Sequence, residues 1–420
     1  MVEGYFDRLP YEILQNIALM LRFSSIIQLR CLSKFWYNLL TNPKFVDLHL
    51  SRALEKPPGY LFTTLPKLWP PEKNPCYFVE QLEDQLSTSK IFEYSFDCYE
   101  REEYETFQSS GGLMCAYSSY SCCFRIFNPD IAEEVQIPRD SKYTRSRFGS
   151  FIFGYSPSIK EYKILKVGDI HKKDEDGLYG HLTVAEVCTL GSNIWRELQS
   201  VPATLNFCRH TNCQGNPFWM DSDDFLHFFD FVSEKFHVIP GPPSPPKLDN
   251  ADWTDDNDPC VYFMDSLISM GDTVGYVYNN RLWVLEDKIK GIWINKYDFS
   301  IMPLFCDLAE ITGTLENGHL FGFVDGETKV FVDDMGCNGF RITDIEVDED
   351  GVEEQPRHIE YMTPHVRSFV SPVRIMNMGN KFSSHKRKWV LDTLKLDCDA
   401  TEVELFNRMY EFLQEYKKCC

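Results

Sequence analysis

The 420-residue chain lacks most of the patterns by which membrane proteins and enzymes are recognised. It has no run of about 18 apolar residues, so we expect no membrane-spanning helix. It has no Gly-x-Ser-x-Gly, Walker A, Gly-x-Gly-x-x-Gly or His-Glu-x-x-His motif. These absences argue against hydrolase, nucleotide-binding and zinc-protease chemistry. We therefore predict no catalytic residue and no cofactor.

The cysteines form no recognisable framework. There are 15, an odd number, and none is followed by another cysteine three positions later. The chain has no Asn-x-Ser/Thr acceptor, and its first residues have neither the basic segment nor the apolar core of a secretory signal. Reduced thiols in the cytoplasm or nucleus are the interpretation we favour. Cys208, His210 and Cys213 are close in sequence, but their spacing is unlike a zinc knuckle, so we predict no metal site.

Positive charge is scarce, and the formal net charge is −21. This balance argues against nucleic acid as the main ligand. The acidity is uneven: residues 221–260 hold ten acidic and two basic residues, and residues 344–360 hold eight acidic and one basic. A basic partner would be favoured electrostatically by such a surface. The alternative interpretation is that the acidic residues only keep a large surface soluble.

An apolar helical segment near the N-terminus is the first positive signal. More than half of residues 9–50 are apolar. Pro10 suits a first helical turn because its missing N–H would be unpaired there, and Ile13, Leu14 and Ile17 follow at helical spacing.

Two further short helices are predicted after the first. Ser24 or Ser25 can cap the second, and Asn42-Pro43 stops the third. About 40 residues are near the lower limit for a self-sufficient core without disulfides or metal. Because apolar residues point in more than one direction, we expect one surface of this segment to bind another protein.

Leu-Pro-x-x-Ile-Leu from Leu9, Arg-Cys-Leu-Ser-Lys-x-Trp from Arg30 and Asn-Pro-x-Phe from Asn42 occur in that order. This series resembles the F-box, a three-helix hook that docks on the Skp-type adaptor of a Skp–cullin–F-box ubiquitin ligase. The resemblance implies an F-box over residues 5–52. The adaptor contacts that it implies are Leu9, Pro10, Ile13, Leu14, Ile17, Leu29, Cys31, Leu32, Ser33, Lys34 and Trp36. Arg22 and Asn16 depart from the family pattern, and a helical cap on a larger domain is the alternative interpretation.

From about residue 94 to residue 373, short runs rich in Val, Ile, Tyr, Phe and Trp recur between turn residues. They pair locally as hairpins. The hairpins that we predict lie at 124–138, 185–202, 228–240, 281–295 and 322–332. Their recurrence predicts an all-β propeller or a solenoid-like closed array, with about six blades at the usual repeat length.

Part of this region also resembles a known domain. Asn128-Pro129, Phe153-Gly154-Tyr155-Ser156-Pro157 and the run 186–196 are similar to the F-box-associated domain of plant F-box proteins, a kelch-like β-propeller that captures a target protein. The resemblance implies a substrate-binding domain over residues 94–376, with residues 53–93 as a connector and first strand.

Three other segments have a distinct composition. The prolines of 240–246 predict a loop that either contacts a partner or is an unselected surface excursion. The acidic run 345–355 fails the calcium-loop pattern because Arg357 stands where a glutamate is needed. In the tail, 377–420, a basic segment precedes an amphipathic helix that a capping box at Thr401 opens. The sequence leaves open what this helix packs on and whether the terminal cysteine pair is modified.

We therefore expect an α+β multidomain protein with an N-terminal three-helix F-box, an all-β propeller-like domain and a C-terminal amphipathic helix. The resemblances imply a non-catalytic substrate-recognition subunit that binds a Skp-type adaptor, and through it a cullin, and holds an unidentified protein target. We expect neither nucleic acid nor membrane as a partner. One alternative is an F-box interaction protein that works outside a cullin ligase. Another is a β-propeller hydrolase, which would need carboxylates or histidines converging at the propeller axis.

Overall fold

The computed structural model describes 18 stretches of the chain. These are residues 10–66, 74–82, 85–94, 106–118, 123–137, 147–173, 179–192, 194–199, 201–202, 210–221, 223–243, 265–278, 280–299, 309–316, 318–324, 327–334, 339–345 and 357–377. The chain divides into two compact units, Met1–Val373 and Arg374–Cys420. The predicted C-terminal helix, the basic segment, the terminal cysteine pair and Leu9 lie outside the described residues.

Four helices open the first unit, and we call residues 10–54 the hook. They are α1 Tyr11–Met20, α2 Phe23–Leu32, α3 Lys34–Leu40 and α4 Pro43–Leu54. The side chain of Asn42 accepts a hydrogen bond from the Lys44 N–H at 2.9 Å, and Pro43 occupies the first turn of α4. The Asn42-Pro43 pair therefore ends α3 and also begins a fourth helix. The predicted cap of α2 was wrong, because the helix begins before Ser24 and no side chain caps it.

Twenty-four strands and a short helix follow in the described residues. In chain order they are β1 Gly59–Pro66, β2 Asn74–Leu82, β3 Gln85–Tyr94, β4 Thr106–Ser110, β5 Leu113–Ser118, β6 Cys123–Asn128, β7 Glu133–Ile137, β8 Arg147–Ser156, β9 Glu161–Lys173, β10 Tyr179–Thr189, β11 Trp195–Glu197, β12 His210–Cys213, β13 Asn216–Met220, β14 Phe225–Asp230, β15 Lys235–Pro240, β16 Ser266–Met270, β17 Thr273–Tyr278, β18 Arg281–Asp287, β19 Ile292–Asp298, β20 Ala309–Thr314, β21 Leu320–Val324, β22 Lys329–Asp334, β23 Gly339–Asp344, β24 Arg357–His365 and α5 Pro372–Asn377.

These strands form six antiparallel four-stranded sheets, the blades of a propeller. Blades 2 to 6 are consecutive meanders, β4–β7, β8–β11, β12–β15, β16–β19 and β20–β23. The five predicted hairpins each join two neighbouring strands of one blade. The predicted propeller with about six blades is confirmed.

Blade 1 is assembled from both ends of the domain. Strand β24 pairs antiparallel with β1, where Gly59 faces His365 and Thr63 faces Tyr361. The described strands of residues 59–94 therefore belong to the propeller. The sequence analysis expected a connector and a first strand over residues 53–93, and the structure shows three strands of blade 1 there, β1 to β3. The physical reason is that β1 satisfies one edge with β2 and the other with a strand from the far end of the chain, and closure of this kind leaves no local signal.

Side chains join the innermost strands of neighbouring blades. The amide of Gln108 donates to the Phe151 carbonyl at 2.6 Å and accepts from the Phe153 N–H at 2.7 Å. Asn212 donates to the Phe153 carbonyl at 2.9 Å, and Ser266 donates to a backbone carbonyl of blade 6 at 3.0 Å. Backbone groups at the inner edges, which no strand pairs, are satisfied in this way.

The strand ends define two faces of the propeller. The turn before β7 packs on the hook through Ile131, and the turn between β8 and β9 carries Lys160, whose Nζ lies 3.0 Å from Asp47 of the hook. We call this the hook face. Because successive strands reverse direction, β13 ends and β14 begins at the opposite face, which we call the distal face. There β15 ends, β16 begins, β23 ends and β24 begins.

Candidate interaction surfaces

The hook has a closed apolar core. Its buried members are Leu14, Ala18, Ile26, Leu39, Leu40 and Phe45, together with Phe369 from beyond the last propeller strand. Each helix of the hook contributes at least one of them, as expected for amphipathic helices around a small core. Other apolar side chains of the hook, among them Ile13, Met20 and Leu32, stay exposed outside this core.

The predicted adaptor contacts divide by exposure. Pro10, Ile13, Cys31, Leu32, Ser33 and Lys34 are exposed, and Ile17, Leu29 and Trp36 are half-buried. Leu14 is 1% exposed, so its side chain shapes the hook from inside and does not line its surface. Leu9 lies outside the described residues. The structure thus brings most of the predicted residues to the outside of α1 and to the corner between α2 and α3.

The corner between α2 and α3 results from one extended residue. Ser33 has φ −161° and ψ 159°, which ends α2, and its Oγ accepts a hydrogen bond from the Trp36 N–H at 3.3 Å, which caps α3. Leu32 on one side of this corner is 68% exposed, and Phe35 on the other side is 40% exposed. The sharp reversal keeps both side chains out of the hook's core.

Further exposed apolar residues of the hook were not among the predicted contacts. Met20 is 83% exposed and Tyr37 is 48% exposed. Both lie off the apolar stripe that enters the core, and this position was the signal available in the sequence. The exposed apolar surface of the hook therefore extends beyond the residues of the F-box motif.

The hook is joined to the propeller through residues that follow β24. The ring of Phe369 stacks on Phe23 of the hook with centroids 4.7 Å apart, and its edge meets His49 at 5.1 Å. Burial lowers the pKa of His49 to about 4. The imidazole is therefore neutral in this junction near pH 7.

The distal face carries acidic residues between β13 and β14. One oxygen of Asp221 accepts hydrogen bonds from the N–H groups of Asp223 and Phe225, at 2.9 and 2.8 Å, and the other lies 2.7 Å from His227 Nε2. Burial would raise the pKa of Asp221, but the hydrogen bonds from His227 and the backbone outweigh it and hold the pKa below its usual range. Asp221 is therefore negatively charged near pH 7.

Comparison with known families addresses both parts of this architecture. Residues 6–48 match the F-box domain, and residues 71–366 match the F-box associated beta propeller domain. The second match alone covers more than half of the chain. The chain belongs to the F-box proteins that carry an F-box associated beta propeller. The predicted family is confirmed, with the propeller match beginning earlier than our predicted domain, in agreement with the composition of blade 1.

Relatives of this F-box protein are found in Arabidopsis thaliana. One F-box protein of that plant is 26% identical over 319 residues, which cover 66% of this chain and 72% of the relative. Another is 23% identical over 328 residues, which cover 73% and 68%. Among solved structures, a chain of a nidogen–laminin complex aligns with a TM-score of 0.40 at 10% identity over 74% of this chain and 99% of that chain. That likeness is too low to support an argument.

The residues considered for metal binding and hydrolase chemistry do not come together in one site among the described residues. His210 begins β12, while the Cys213 thiol is buried and donates to the Thr273 carbonyl at 3.3 Å. Cys208 and all of the acidic run 345–355 except Ile345 lie outside the described residues. In the described part of the chain, no three His, Cys, Asp or Glu side chains are close enough to hold a metal ion.

One cluster has the residue types of a Ser-His-Asp triad. Ser109 Oγ lies 2.7 Å from His365 Nδ1, and Asp130 Oδ2 lies 4.0 Å from His365 Nε2. His365 is only 1% exposed, and Asp130 accepts a hydrogen bond from Arg367. Burial lowers the pKa of His365 to about 3. The cluster is therefore buried, with Ser109 bound to His365 and Arg367 bound to Asp130.

None of the helices in the described part of the chain has the length and hydrophobicity needed to cross a membrane.

Proposed function

We propose that this F-box protein is the substrate-recognition subunit of a Skp–cullin–F-box ubiquitin ligase. The observation that carries the proposal is the apolar surface left on the outside of a hook whose own core is already closed, with Leu32 68% exposed at its corner. Exposed apolar area of this kind is typical of a protein-binding site. The adaptor binds here, and the cullin joins through the adaptor. The complex works in the cytoplasm or nucleus.

The target is held by the distal face of the propeller. The hook occupies part of the opposite face, so a target on the distal face does not compete with the adaptor. The described ends of the two acidic windows also lie at this face, because residues 221 and 223–224 stand between β13 and β14, residues 241–243 follow β15, and Ile345 follows β23. The charge of these windows favours a target with a basic segment.

This role needs no catalytic residue in the chain. A receptor accelerates ubiquitin transfer by holding the target near a ubiquitin-conjugating enzyme that carries ubiquitin. This raises the effective concentration of the target lysine. The second candidate, an F-box interaction protein without a cullin, uses the same adaptor surface and differs only in what the adaptor recruits.

A pull-down of the full chain separates these candidates. Wild type is compared with an Ile13→Asp, Leu32→Asp variant, which puts two charges on the exposed hook surface, and with Ile289→Asp, whose side chain is 97% exposed on blade 5. We expect wild type and Ile289→Asp to retain a recombinant Skp-type adaptor and a cullin, and the hook variant to lose both. Undiminished adaptor binding by the hook variant would refute the proposal. Adaptor binding without any cullin would support the second candidate.

The target surface is tested by proximity labelling from the full chain with the proteasome blocked. We expect the labelled proteins to be enriched in lysine- and arginine-rich segments, and the enrichment to weaken when Asp223 and Asp224 are replaced by asparagine together with the acidic residues of 249–258. Labelling that is unchanged by these substitutions would contradict a basic target on the distal face.

A further inference from the structure

Six residues between β24 and α5, residues 366–371, lie between the hook and the propeller without regular secondary structure. We call them the strap. Because the strap pairs with no strand, its backbone groups need other partners. Those partners come from blade 2.

The propeller holds the strap through two buried side chains of blade 2. Asn128 is fully buried, and its amide donates to the carbonyls of Ser368 and Val370 at 2.9 and 2.8 Å. Asp130 accepts from the Ser368 N–H at 3.0 Å and from Arg367 Nε at 2.8 Å. Ser368 Oγ in turn donates to the Gly112 carbonyl at 2.9 Å. Five hydrogen bonds therefore fix the path of the strap on the hook face.

The strap contacts the hook with its other side chains. Phe369 stacks on Phe23 with centroids 4.7 Å apart and also meets Phe45, at 6.1 Å. The guanidinium of Arg367 lies 4.5 Å from the Phe23 ring and 5.4 Å from the Phe78 ring of blade 1. Arg367 thus touches the hook, blade 1 and, through Asp130, blade 2.

The direct contacts between hook and propeller are less buried than those made by the strap. Lys160 and Asp47 form an ion pair at 3.0 Å, but both side chains are more than half exposed, so solvent screens their attraction. Ile131 packs on the edge of the hook's core while remaining half-buried. The buried connection between hook and propeller therefore runs through the strap.

We propose that the strap is a fixed seat for the hook and that Arg367 is its positioning residue. The seat sets the direction in which the hook presents its adaptor surface relative to the distal face. The functional importance of this direction rests on the proposed function, because a receptor that acts by proximity requires a set distance between target and enzyme. The seat itself is a property of the chain alone and is tested without a ligase.

The first experiment measures amide hydrogen exchange on the full chain. The variant is Arg367→Met, Asp130→Asn, which removes both charges together, because Arg367→Met alone would leave a buried carboxylate without its cation. The matched control is Arg281→Met, Asp298→Asn, which removes an arginine–aspartate bond of 2.9 Å from Nε to Oδ2 in blade 5.

We expect the strap variant to exchange at least tenfold faster in α2 and α4, with β5 and β17 unchanged, and the control to leave the hook unchanged. Hook exchange equal to that of wild type would overturn the seat. Faster exchange in β5 together with the hook would also overturn it, because the network would then close the propeller and not hold the hook.

The second experiment uses a reconstituted ligase and maps which lysines of the receptor itself receive ubiquitin. We expect wild type and the control to be modified at the same restricted set, and the strap variant, with unchanged adaptor affinity, to be modified at additional lysines. An identical set in the strap variant would overturn the positioning role of Arg367. If no chain is modified at all while the exchange difference persists, the proposed function fails and the seat stands.

Discussion

Leu32 and Leu14 lie on successive helices of one small hook, yet the structure predicts opposite consequences for replacing them by alanine. Leu32 is 68% exposed, whereas Leu14 is 1% exposed. Complete burial of a leucine side chain is worth about 1.5–3 kcal/mol. Because about two-thirds of Leu32 remains to be buried by a partner, Leu32→Ala should cost about 1–2 kcal/mol of adaptor binding, which is roughly a 5- to 30-fold weaker Kd.

The same two variants should separate in stability. Leu32→Ala removes little buried area from the free chain, so its free energy of unfolding should change by less than about 0.5 kcal/mol. Leu14→Ala leaves a cavity among the helices and should destabilise the hook by about 2–5 kcal/mol. At a temperature where the hook of Leu14→Ala is still folded, its adaptor affinity should remain close to that of wild type.

Calorimetric titration with a Skp-type adaptor and denaturant unfolding measure the two quantities separately. Ile289→Ala is the control, since Ile289 is 97% exposed on the propeller and should change neither quantity. The reasoning is refuted if Leu32→Ala binds the adaptor as tightly as wild type. It is equally refuted if folded Leu14→Ala loses more affinity than Leu32→Ala, because the contact surface would then not be the one left exposed on the hook.

The remaining predictions concern stability. Burial lowers the pKa of His49 in the folded hook to about 4, whereas in the unfolded chain the same imidazole has a pKa of about 6.5. Between these values His49 is neutral in the folded chain and protonated in the unfolded chain. Through His49, stability should be full above pH 6.5 and fall by up to about 3 kcal/mol toward pH 4, and His49→Phe should remove this share of the loss in denaturant unfolding. The buried His365, whose pKa is lowered to about 3, adds a loss of its own in both proteins. The Arg196 guanidinium lowers the pKa of Glu234 to about 2, so its contribution is present above about pH 4.5 and is lost toward pH 2. Glu234→Gln should therefore cost about 1–2 kcal/mol at pH 7, after screening at this partly exposed site, and little at pH 2. Gly112 has φ +75°, and an added Cβ would lie 2.2 Å from Ser368 Oγ, so Gly112→Ala should cost at least about 2 kcal/mol in thermal unfolding.

Each of these has a result that would count against it. An acid loss between pH 6.5 and pH 4 that is as large in His49→Phe as in wild type would place the titrating group elsewhere. A Glu234→Gln penalty of the same size at pH 2 and pH 7 would mean that the side chain acts by packing and not by charge. Gly318 is the control for Gly112, because it has φ +81° and no atom of another described residue lies within 4 Å of an added Cβ. If Gly318→Ala and Gly112→Ala cost the same, the close contact with the strap has no energetic role.

The blades illustrate what local sequence reasoning can reach. Each predicted hairpin consists of two short β-rich runs and a turn, and all of that information lies within about 20 residues. The hook was recognisable for a similar reason, since its motif residues follow one another within the F-box stretch. The corner at Ser33 was not predicted, although one extended residue there decides that Leu32 and Phe35 face outward.

Contacts between distant parts of the chain were beyond such reasoning. Asn128 holds carbonyls that are 240 and 242 positions later in the sequence, and Arg367 reaches both Asp130 and Phe23. Asn128 continues the alternating burial of β6, but that pattern does not indicate a partner 240 positions away. Buried polar partners can be matched only after the backbone has brought them together. The seat of the hook therefore had no counterpart in the sequence analysis.

The sequence by itself determined the kinds of element, their order and the family, because helical spacing, strand composition and motif residues act over short distances. Only the tertiary structure decided which leucine of the hook is core and which is surface. It also decided that β24 closes the ring with β1, and that residues 366–371 connect hook and propeller. These outcomes depend on pairing and burial between segments far apart in the chain, and both are properties of the folded protein.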